Sequence, residues 1–244
     1  GRSWYVSTQG RDDAAGTSEA PLRTLRRAVA LAGPYEVIRV RSGVYAESLL
    51  FDDRGAEAPI TVRGEGSPLP TFVPESTTRT AVVRVQGRWR LQDLRVDVGG
   101  VPLVAVLFEK TSTNASLSGS ELRSGAAGAG VLVEGARGVL LENNLIHHFI
   151  KEGGDSHGVL VLGPSKNVTV RGNDIHHNSG DGVQCLGPEG GATEAGTPFD
   201  NLLVEDNDLH ENQENGADIK TCTRVTLRGN RIWGHRRTPS SAGE

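Results

Sequence analysis

The chain of 244 residues contains no methionine, only two cysteines and few aromatic residues, which make up 5% of the sequence. So few large apolar side chains disfavour a helical bundle, because the core of a bundle depends on them. Two cysteines are too few to frame a small disulfide-rich domain, although Cys185 and Cys222 could pair if the fold brings them together. The apolar runs all fall short of the ~20 residues of a membrane-spanning helix. No membrane span is therefore predicted.

Acidic residues are absent from one long segment. The net charge of −4 argues against nucleic acid as a partner, yet residues 219–243 contain no Asp or Glu. The same segment carries six basic residues, namely Lys220, Arg224, Arg228, Arg231, Arg236 and Arg237. It forms either a solvated basic face or a surface for an acidic ligand. In the second case Arg224 and Arg228 are candidate substrate-binding residues.

Glycine is abundant, with 32 residues, and this suits short strands joined by tight turns. Four segments repeat one pattern without a gap: "VLLENNLIHH" (139–148), "VTVRGNDIHH" (168–177), "LLVEDNDLHE" (202–211) and "VTLRGNRIWG" (225–234). Each has an alternating apolar run, an asparagine and then an apolar residue one place further on. The asparagines are Asn144, Asn173, Asn207 and Asn230, and weaker copies have Ser120 and Leu94 in the same place.

Repeats of about 20 to 35 residues without a helical period are typical of a solenoid in which each repeat forms one coil. We predict an all-β parallel β-helix that forms a single domain over residues 1–244. A buried asparagine at a bend can satisfy backbone groups that the turn leaves unpaired, so the asparagines are assigned to architecture. "PLRTLRRAVALAG" (21–33) predicts an N-terminal helix that caps the first coil, and "EVIRVRSGVYAES" (36–48) predicts the first strand.

The segment "YVSTQGRDDAAGTSEAPLRTLRRAVALAGPYEVIRVRSGVYAES", followed by the asparagine-bearing coils, resembles the right-handed parallel β-helix proteins of the pectate-lyase-like superfamily. It is most similar to the family 9 polysaccharide lyases and their uncharacterised relatives. The resemblance covers nearly the whole chain and implies a right-handed coil. Because a fold does not fix a function, the site must be argued from its residues.

The asparagine register predicts where a site lies. Val183 lies ten residues after Asn173, and Ala217 lies ten residues after Asn207, so "SGDGVQC" aligns with "ENGADIK". Val159 enters the same register one coil earlier. Period two then places outward-facing side chains on three neighbouring coils. The predicted patch contains His157, Asp181, Gln184, Asp218 and Lys220. Longer turns at 149–158 and 186–201 flank the patch and could wall a groove.

β-Elimination on a uronic-acid polymer is the chemistry that such a groove could perform. A base removes the C5 proton, and the adjacent carboxylate must be neutralised by calcium or by an arginine. The resemblance implies that Lys220 is the base and that Asp181 and Asp218 are calcium ligands, with Asp155 as a more distant candidate. Gln184 is predicted to contact substrate.

Several alternatives remain open. The family 9 lyases have a denser aspartate cluster, so a metal-free variant could use Arg231 for neutralisation and His157 as proton carrier. Asp218 and Lys220 could also form a plain exposed ion pair worth less than ~1 kcal/mol. Polygalacturonase-like hydrolases have an aspartate pair before a Gly-His-Gly stretch, whereas here "SHG" precedes "GDG", which favours elimination.

Three histidines, His147, His176 and His210, follow the asparagine ladder at equal offset and are predicted to stack, with Trp233 on the next rung. Such a column could bind zinc, but no fourth ligand is evident, so stacked surface histidines without a metal are favoured.

The prediction is an extracellular or cell-surface lyase that acts on an acidic polysaccharide, with calcium as its candidate cofactor. A non-catalytic β-helix that binds glycan or serves a structural role is the alternative. "SSAGE" (240–244) begins to repeat a turn, which predicts that further coils follow.

Overall fold

The computed structural model describes residues 1–55, 57–187 and 199–236, which form short strands and one α-helix, α1 (Leu25–Leu31). The strands are β1 (Ser3–Val6), β2 (Val37–Arg41), β3 (Val44–Ala46), β4 (Leu49–Phe51), β5 (Ile60–Glu65), β6 (Thr71–Val73), β7 (Ala81–Gly87), β8 (Trp89–Gln92), β9 (Arg95–Asp97), β10 (Val104–Ser112), β11 (Ser116–Ser118), β12 (Glu121–Arg123), β13 (Ala129–Glu134), β14 (Leu140–Glu142), β15 (Leu145–His147), β16 (His157–Leu162), β17 (Lys166–Arg171), β18 (Asp174–His176), β19 (Val183–Leu186), β20 (Asp200–Glu205), β21 (Asp208–His210), β22 (Ala217–Lys220), β23 (Thr223–Arg228) and β24 (Arg231–Trp233).

The strands form three parallel sheets, and successive strands of one sheet come from successive coils of the chain. Sheet A contains β1, β2, β5, β8, β11, β14, β17, β20 and β23 in that order. Sheet B runs from β3 through β6, β9, β12, β15, β18 and β21 to β24, and sheet C runs from β4 through β7, β10, β13, β16 and β19 to β22. This is the predicted all-β parallel β-helix.

The core is a continuous apolar column inside the three sheets. In sheet C, for example, Val131, Val159 and Val183 pair in register and are fully buried. Burial of such side chains stabilises the fold by roughly 25 cal/mol for each Å² of apolar surface. The period of two then leaves the alternate side chains of each strand on the outer face of the sheet.

The asparagine ladder is confirmed as an architectural feature. Asn173 Oδ1 accepts the backbone N–H of Asn144 at 2.9 Å, and Asn207 Oδ1 accepts that of Asn173 at 2.9 Å. The amide nitrogen of Asn173 donates in turn to the carbonyl oxygen of Leu141. Each asparagine thus satisfies backbone groups of its own bend and of the neighbouring coil, which makes it costly to replace.

A second asparagine ladder lies five residues further along and was missed in the sequence. Asn178 and Asn212 are fully buried, and Asn212 Oδ1 accepts the backbone N–H of Asn178 at 3.2 Å. On the preceding rung Phe149 stands in the place of an asparagine, and Asn178 Oδ1 accepts its backbone N–H. The signal was the equal five-residue offset from Asn173 and Asn207.

The N-terminal region differs from the prediction in two ways. The helix is shorter than residues 21–33, because Thr24 caps its first turn by accepting the backbone N–H of Arg27 and the chain leaves the helix at Ala32. The helix packs on β1, β2 and β4. Residues 36–48 form two strands on two sheets, not the first strand, since β1 precedes them.

Two sequence predictions lie outside the described residues. The proposed continuation at 240–244 is one, and most of the long turn at 186–201 is the other. The closing of the first coil by α1 stays a prediction. Among the described residues, no helix has the length and hydropathy needed to cross a membrane.

Candidate functional site

The predicted register of the site is confirmed. β16, β19 and β22 are neighbours in sheet C, and Val159 pairs with Val183, which pairs with Ala217. The same register sets Gln184 beside Asp218. The two stretches that align in the sequence therefore lie side by side in the fold.

A chain of polar contacts joins the five residues of the predicted patch. Lys220 Nζ lies 2.9 Å from Asp218 Oδ2. Gln184 Nε2 donates to Asp218 Oδ2 at 3.4 Å and to Asp181 Oδ2 at 3.1 Å. His157 Nδ1 lies 3.2 Å from Asp181 Oδ2. The five side chains form one connected group.

This group is more enclosed than predicted. His157, Asp181 and Gln184 were expected to be outward-facing, but their exposed fractions are 6%, 0% and 7%. Asp181 Oδ1 accepts from both the backbone and the side-chain nitrogen of Asn215, at 3.0 and 2.8 Å. His157 Nδ1 accepts the backbone N–H of Asp181 at 2.9 Å, so Nε2 is the ring nitrogen left for proton exchange. Contacts with the neighbouring coils thus bury side chains that strand alternation alone would place in solvent.

Glu214 belongs to the same site and was missed in the sequence. One ligand atom from each of His157, Asp181 and Glu214 lies within 4.8 Å of the others. Burial raises the pKa of the Glu214 carboxyl, and the negative charges of Asp181 and Asp155 raise it further. Glu214 lies in the turn before β22. The alternation of inward and outward side chains applies only within a strand, so it could not assign this residue to a face. We call His157, Asp181, Gln184, Glu214, Asp218 and Lys220 the sheet C cluster.

Lys220 is the accessible member of the sheet C cluster. Its side chain is 55% exposed, whereas that of Asp218 is 22% exposed. The hydrogen bond with Asp218 raises the pKa of the Lys220 ammonium, and the negative charges of Asp218, Asp181 and Glu214 act in the same direction. The lysine is therefore charged at neutral pH, and it faces solvent at the end of an acidic surface.

The three predicted arginines do not join this cluster. Arg224 and Arg228 lie on β23 in sheet A, and Arg231 lies on β24 in sheet B. The structure pairs Arg224 with Asp200, Arg228 with Glu205 and Arg231 with Asp208. The basic segment read from the sequence is thus distributed over the sheets and paired with carboxylates of the preceding coil. Arg231, the alternative for neutralising the substrate carboxylate, thus lies on a different sheet from Lys220.

A disulfide supports the strand that carries Lys220. Cys185 and Cys222 are bonded, with Cα atoms 6.4 Å apart. Cys185 is fully buried in β19, and Cys222 follows β22 by two residues. The sequence left this pairing open, because only the coil register shows that the two positions are adjacent.

The sheet C cluster fits a hard divalent cation. Ca²⁺ prefers carboxylate and carbonyl oxygens, which Asp181, Glu214 and Asp218 supply. Burial first, and then the charges of Asp181 and Asp155, raise the pKa of Glu214, so a bound cation would favour its charged form. His157 is less suited as a ligand, since its Nδ1 already accepts an N–H bond.

Comparisons with known proteins agree with the fold. A family profile described as "Right handed beta helix region" matches residues 104–242, and one described as "Protein of unknown function (DUF1565)" matches residues 8–66. The chain is 26% identical over 212 residues to the uncharacterized protein YwoF of Bacillus subtilis (strain 168). That match covers 77% of the chain but 44% of the relative, so the chain spans less than half of it.

Three solved structures share the architecture at low identity. The pectate lyase Pel9A has a TM-score of 0.69 at 14% identity, covering 94% of this chain and 70% of that one. The A-module of the Azotobacter vinelandii mannuronan C-5 epimerase AlgE4 has a TM-score of 0.65 at 16% identity, with 95% and 72% covered. PfbA, a surface adhesin of Streptococcus pneumoniae, has a TM-score of 0.64 at 14% identity, with 84% and 56% covered.

Identities this low support the fold and leave the activity open. The predicted resemblance is confirmed by the profile, the sheet order and these neighbours together. The chain belongs to the right-handed β-helix family and has the pectate-lyase-like form of that fold.

Proposed function

We propose that the sheet C cluster binds an acidic, uronic-acid-containing glycan and cleaves it by β-elimination, with Lys220 as the base. The observation that carries the proposal is the exposed Lys220 amine at the edge of a largely enclosed group of carboxylates on adjacent coils. An exposed amine can reach a polymer lying across the coils. Two structural neighbours, a pectate lyase and a mannuronan epimerase, support this substrate class by analogy.

The carboxylates oppose an acidic substrate unless their charge is offset. Asp181, Glu214 and Asp218 are the residues that would hold a calcium ion, and the bound ion would neutralise the uronate carboxylate as the carbanion develops. Asn215 and Gln184 orient the Asp181 carboxylate by donating to its two oxygens. His157 fixes the same turn by accepting the Asp181 N–H.

The charge state of Lys220 determines the pH at which it can act. A base must be neutral to accept the C5 proton, and Asp218 raises the pKa of Lys220 above its ordinary value of 10.5. We therefore expect turnover to rise with pH into the alkaline range. A cation held by Asp218 would lower the pKa of Lys220 and so promote the neutral form of the amine.

An extracellular or cell-surface location accompanies this proposal. The Cys185–Cys222 disulfide is of the kind that persists in oxidising compartments. A polymeric acidic glycan is also a substrate met outside the cell.

The test incubates the protein with pectate, alginate and glycosaminoglycans, with and without calcium, and follows the ultraviolet absorbance of the unsaturated uronate product. Lys220→Met keeps most of the side-chain length and removes the amine, so we expect turnover to fall by about 100-fold or more. Lys166→Met, on sheet A, is the matched control and should keep the wild-type rate. No product from any polymer, or equal rates for wild type and Lys220→Met, would reject the proposal.

A non-catalytic glycan-binding module is the second candidate. It is favoured by the ion pair between Lys220 and Asp218, which keeps the lysine protonated and suits binding to a carboxylate better than proton abstraction. Retention of the protein on an immobilised acidic glycan without any product would select this candidate over the lyase.

A further inference from the structure

A second polar column lies on the outer edge of sheet B, away from the sheet C cluster. His147, His176 and His210 end β15, β18 and β21, and their rings stack with centroids 5.1 and 4.8 Å apart. Trp233 continues the stack at 4.5 Å from His210. The predicted stack is confirmed, and a second row of side chains lies beside it.

A second side chain joins each rung of the column. His148, His177 and Glu211 follow the three stacked histidines, and their φ angles of 57°, 54° and 51° lie in the left-handed region. Consecutive strand residues normally point to opposite faces, and the left-handed residue cancels this alternation. Both side chains of a rung therefore face the same way. His148 and His177 also stack, with centroids 5.0 Å apart.

In each rung, Nδ1 of the stacked histidine lies close to a nitrogen or oxygen atom of the side chain that follows it. His147 Nδ1 lies 2.6 Å from His148 Nδ1, and His176 Nδ1 lies 2.7 Å from His177 Nδ1. In the third rung Glu211 replaces the second histidine, and its Oε2 lies 3.0 Å from the Nδ1 of its neighbour.

Two outer nitrogens of the column face carboxylates. His210 Nε2 lies 2.9 Å from Asp174 Oδ1, and His147 Nε2 lies 3.4 Å from Glu121 Oε1. A carboxylate accepts the Nε2–H and leaves the lone pair on Nδ1, which is the second-shell arrangement found around histidine ligands of metals. Asp174 also places an oxygen within 4.8 Å of donor nitrogens of His176 and His210.

Burial favours the uncharged form of three rings in the column. Burial lowers the pKa of His147 and His148, and it lowers the pKa of His176 to about 4. Neutral imidazole is the form that coordinates metals.

We propose that the pairs His147/His148 and His176/His177 each bind a divalent transition-metal ion, with zinc as the reference ion, through their Nδ1 atoms. Two nitrogens bound to zinc at about 2.0–2.1 Å and at the tetrahedral angle are ~3.3 Å apart, so each pair needs to open by ~0.6–0.7 Å, which rotation of the side chains can supply. Rungs repeat at about 4.8 Å, which is beyond the span of two ligands on one ion, so each pair holds its own. Imidazole pairs favour zinc, copper and nickel over calcium.

The test is calorimetric titration of zinc chloride into the full chain without a histidine tag. Glu214→Gln serves as the background, because it removes a ligand of the sheet C cluster and restricts zinc binding to the column. His148→Asn and His177→Asn are then added to that background. Asparagine tolerates the left-handed conformation, so the bends are kept, and circular dichroism checks the fold.

The background protein should bind two zinc ions, and the added substitutions should lower the affinity by about tenfold or more. Equal titrations for the two proteins, or no binding by the background protein, would overturn the proposal.

Copper provides a readout that needs no substitution in the column. The paramagnetic resonance of Cu²⁺ bound to the background protein should show nitrogen hyperfine coupling, and a spectrum without nitrogen coupling would contradict the assignment.

Discussion

Glu205 and Glu214 lie nine positions apart in the sequence, yet their surroundings act on them in opposite directions. On sheet A, hydrogen bonds from Arg228 and Arg171 lower the pKa of Glu205. Beside sheet C, burial and the charges of Asp181 and Asp155 raise the pKa of Glu214. The charge balance of a solenoid surface is therefore set by the neighbouring coils and not by neighbours in the sequence.

The two outer faces differ accordingly. Sheet A carries a ladder of pairs between adjacent coils, such as Arg39 with Glu65 and Arg171 with Glu142 and Glu205. In the sheet C cluster, Lys220 pairs with Asp218, while Asp181 is satisfied by amides. The carboxylates named on sheet A are each paired with an arginine, whereas the sheet C cluster has three carboxylates and one lysine. Such an excess marks a candidate binding site.

Breaking the covalent link beside the sheet C cluster should have the largest effect on stability. Cys222→Ser opens a bond between residues separated by 37 positions, and the expected loss is roughly 2–4 kcal/mol. Urea denaturation of wild type and variant, each without reductant, measures it. Unchanged stability would mean that the bond does not constrain this end of the solenoid.

Asp181→Ala should cost about 2–3 kcal/mol, since it leaves the donors of Asn215 and Gln184 without their carboxylate. Asp181→Asn is the matched variant, because it keeps the shape and one acceptor oxygen and should cost less. The free energies of unfolding from denaturant titration give the comparison. Equal losses would show that shape matters less than charge at this position.

Asp218→Asn should move the ascending limb of the pH–rate profile to lower pH. The bond to Asp218 is the main reason for the raised pKa of Lys220, so its weakening makes the amine easier to deprotonate. The assay is product absorbance as a function of pH under saturating calcium. A profile identical to that of wild type would remove Lys220 as the titrating group.

The smallest effects concern the two glutamates, and their signs should differ. Because the pKa of Glu205 is lowered from 4.5 on folding, its charge stabilises the fold above pH 4.5, and this contribution disappears as the pH falls through the lowered value. The raised pKa of Glu214 means that its charge opposes folding at neutral pH and not in acid. Glu205→Gln should thus lower stability at pH 7 and Glu214→Gln should raise it, with both differences vanishing near pH 3. Denaturant titrations at the two pH values test the signs.

Periodic features were predictable from the sequence, and features set by turns were not. The asparagine ladder, the pairing of Val183 with Ala217 and the histidine stack follow from counting residues within one repeat. The burial of Asp181 depends on Asn215 in the next turn, and the role of Glu214 depends on the same turn. The arginines were misplaced because a run of basic residues does not reveal which sheet each one occupies.

We propose that a bound calcium ion neutralises the excess negative charge of the sheet C cluster and so lets an acidic glycan approach it. Calorimetric titration of calcium chloride into wild type, Glu214→Gln and Glu205→Gln tests it most directly. We expect wild type and Glu205→Gln to bind calcium alike and Glu214→Gln to bind it at least about tenfold more weakly. Calcium binding that is absent from wild type, or equal in all three proteins, would contradict it.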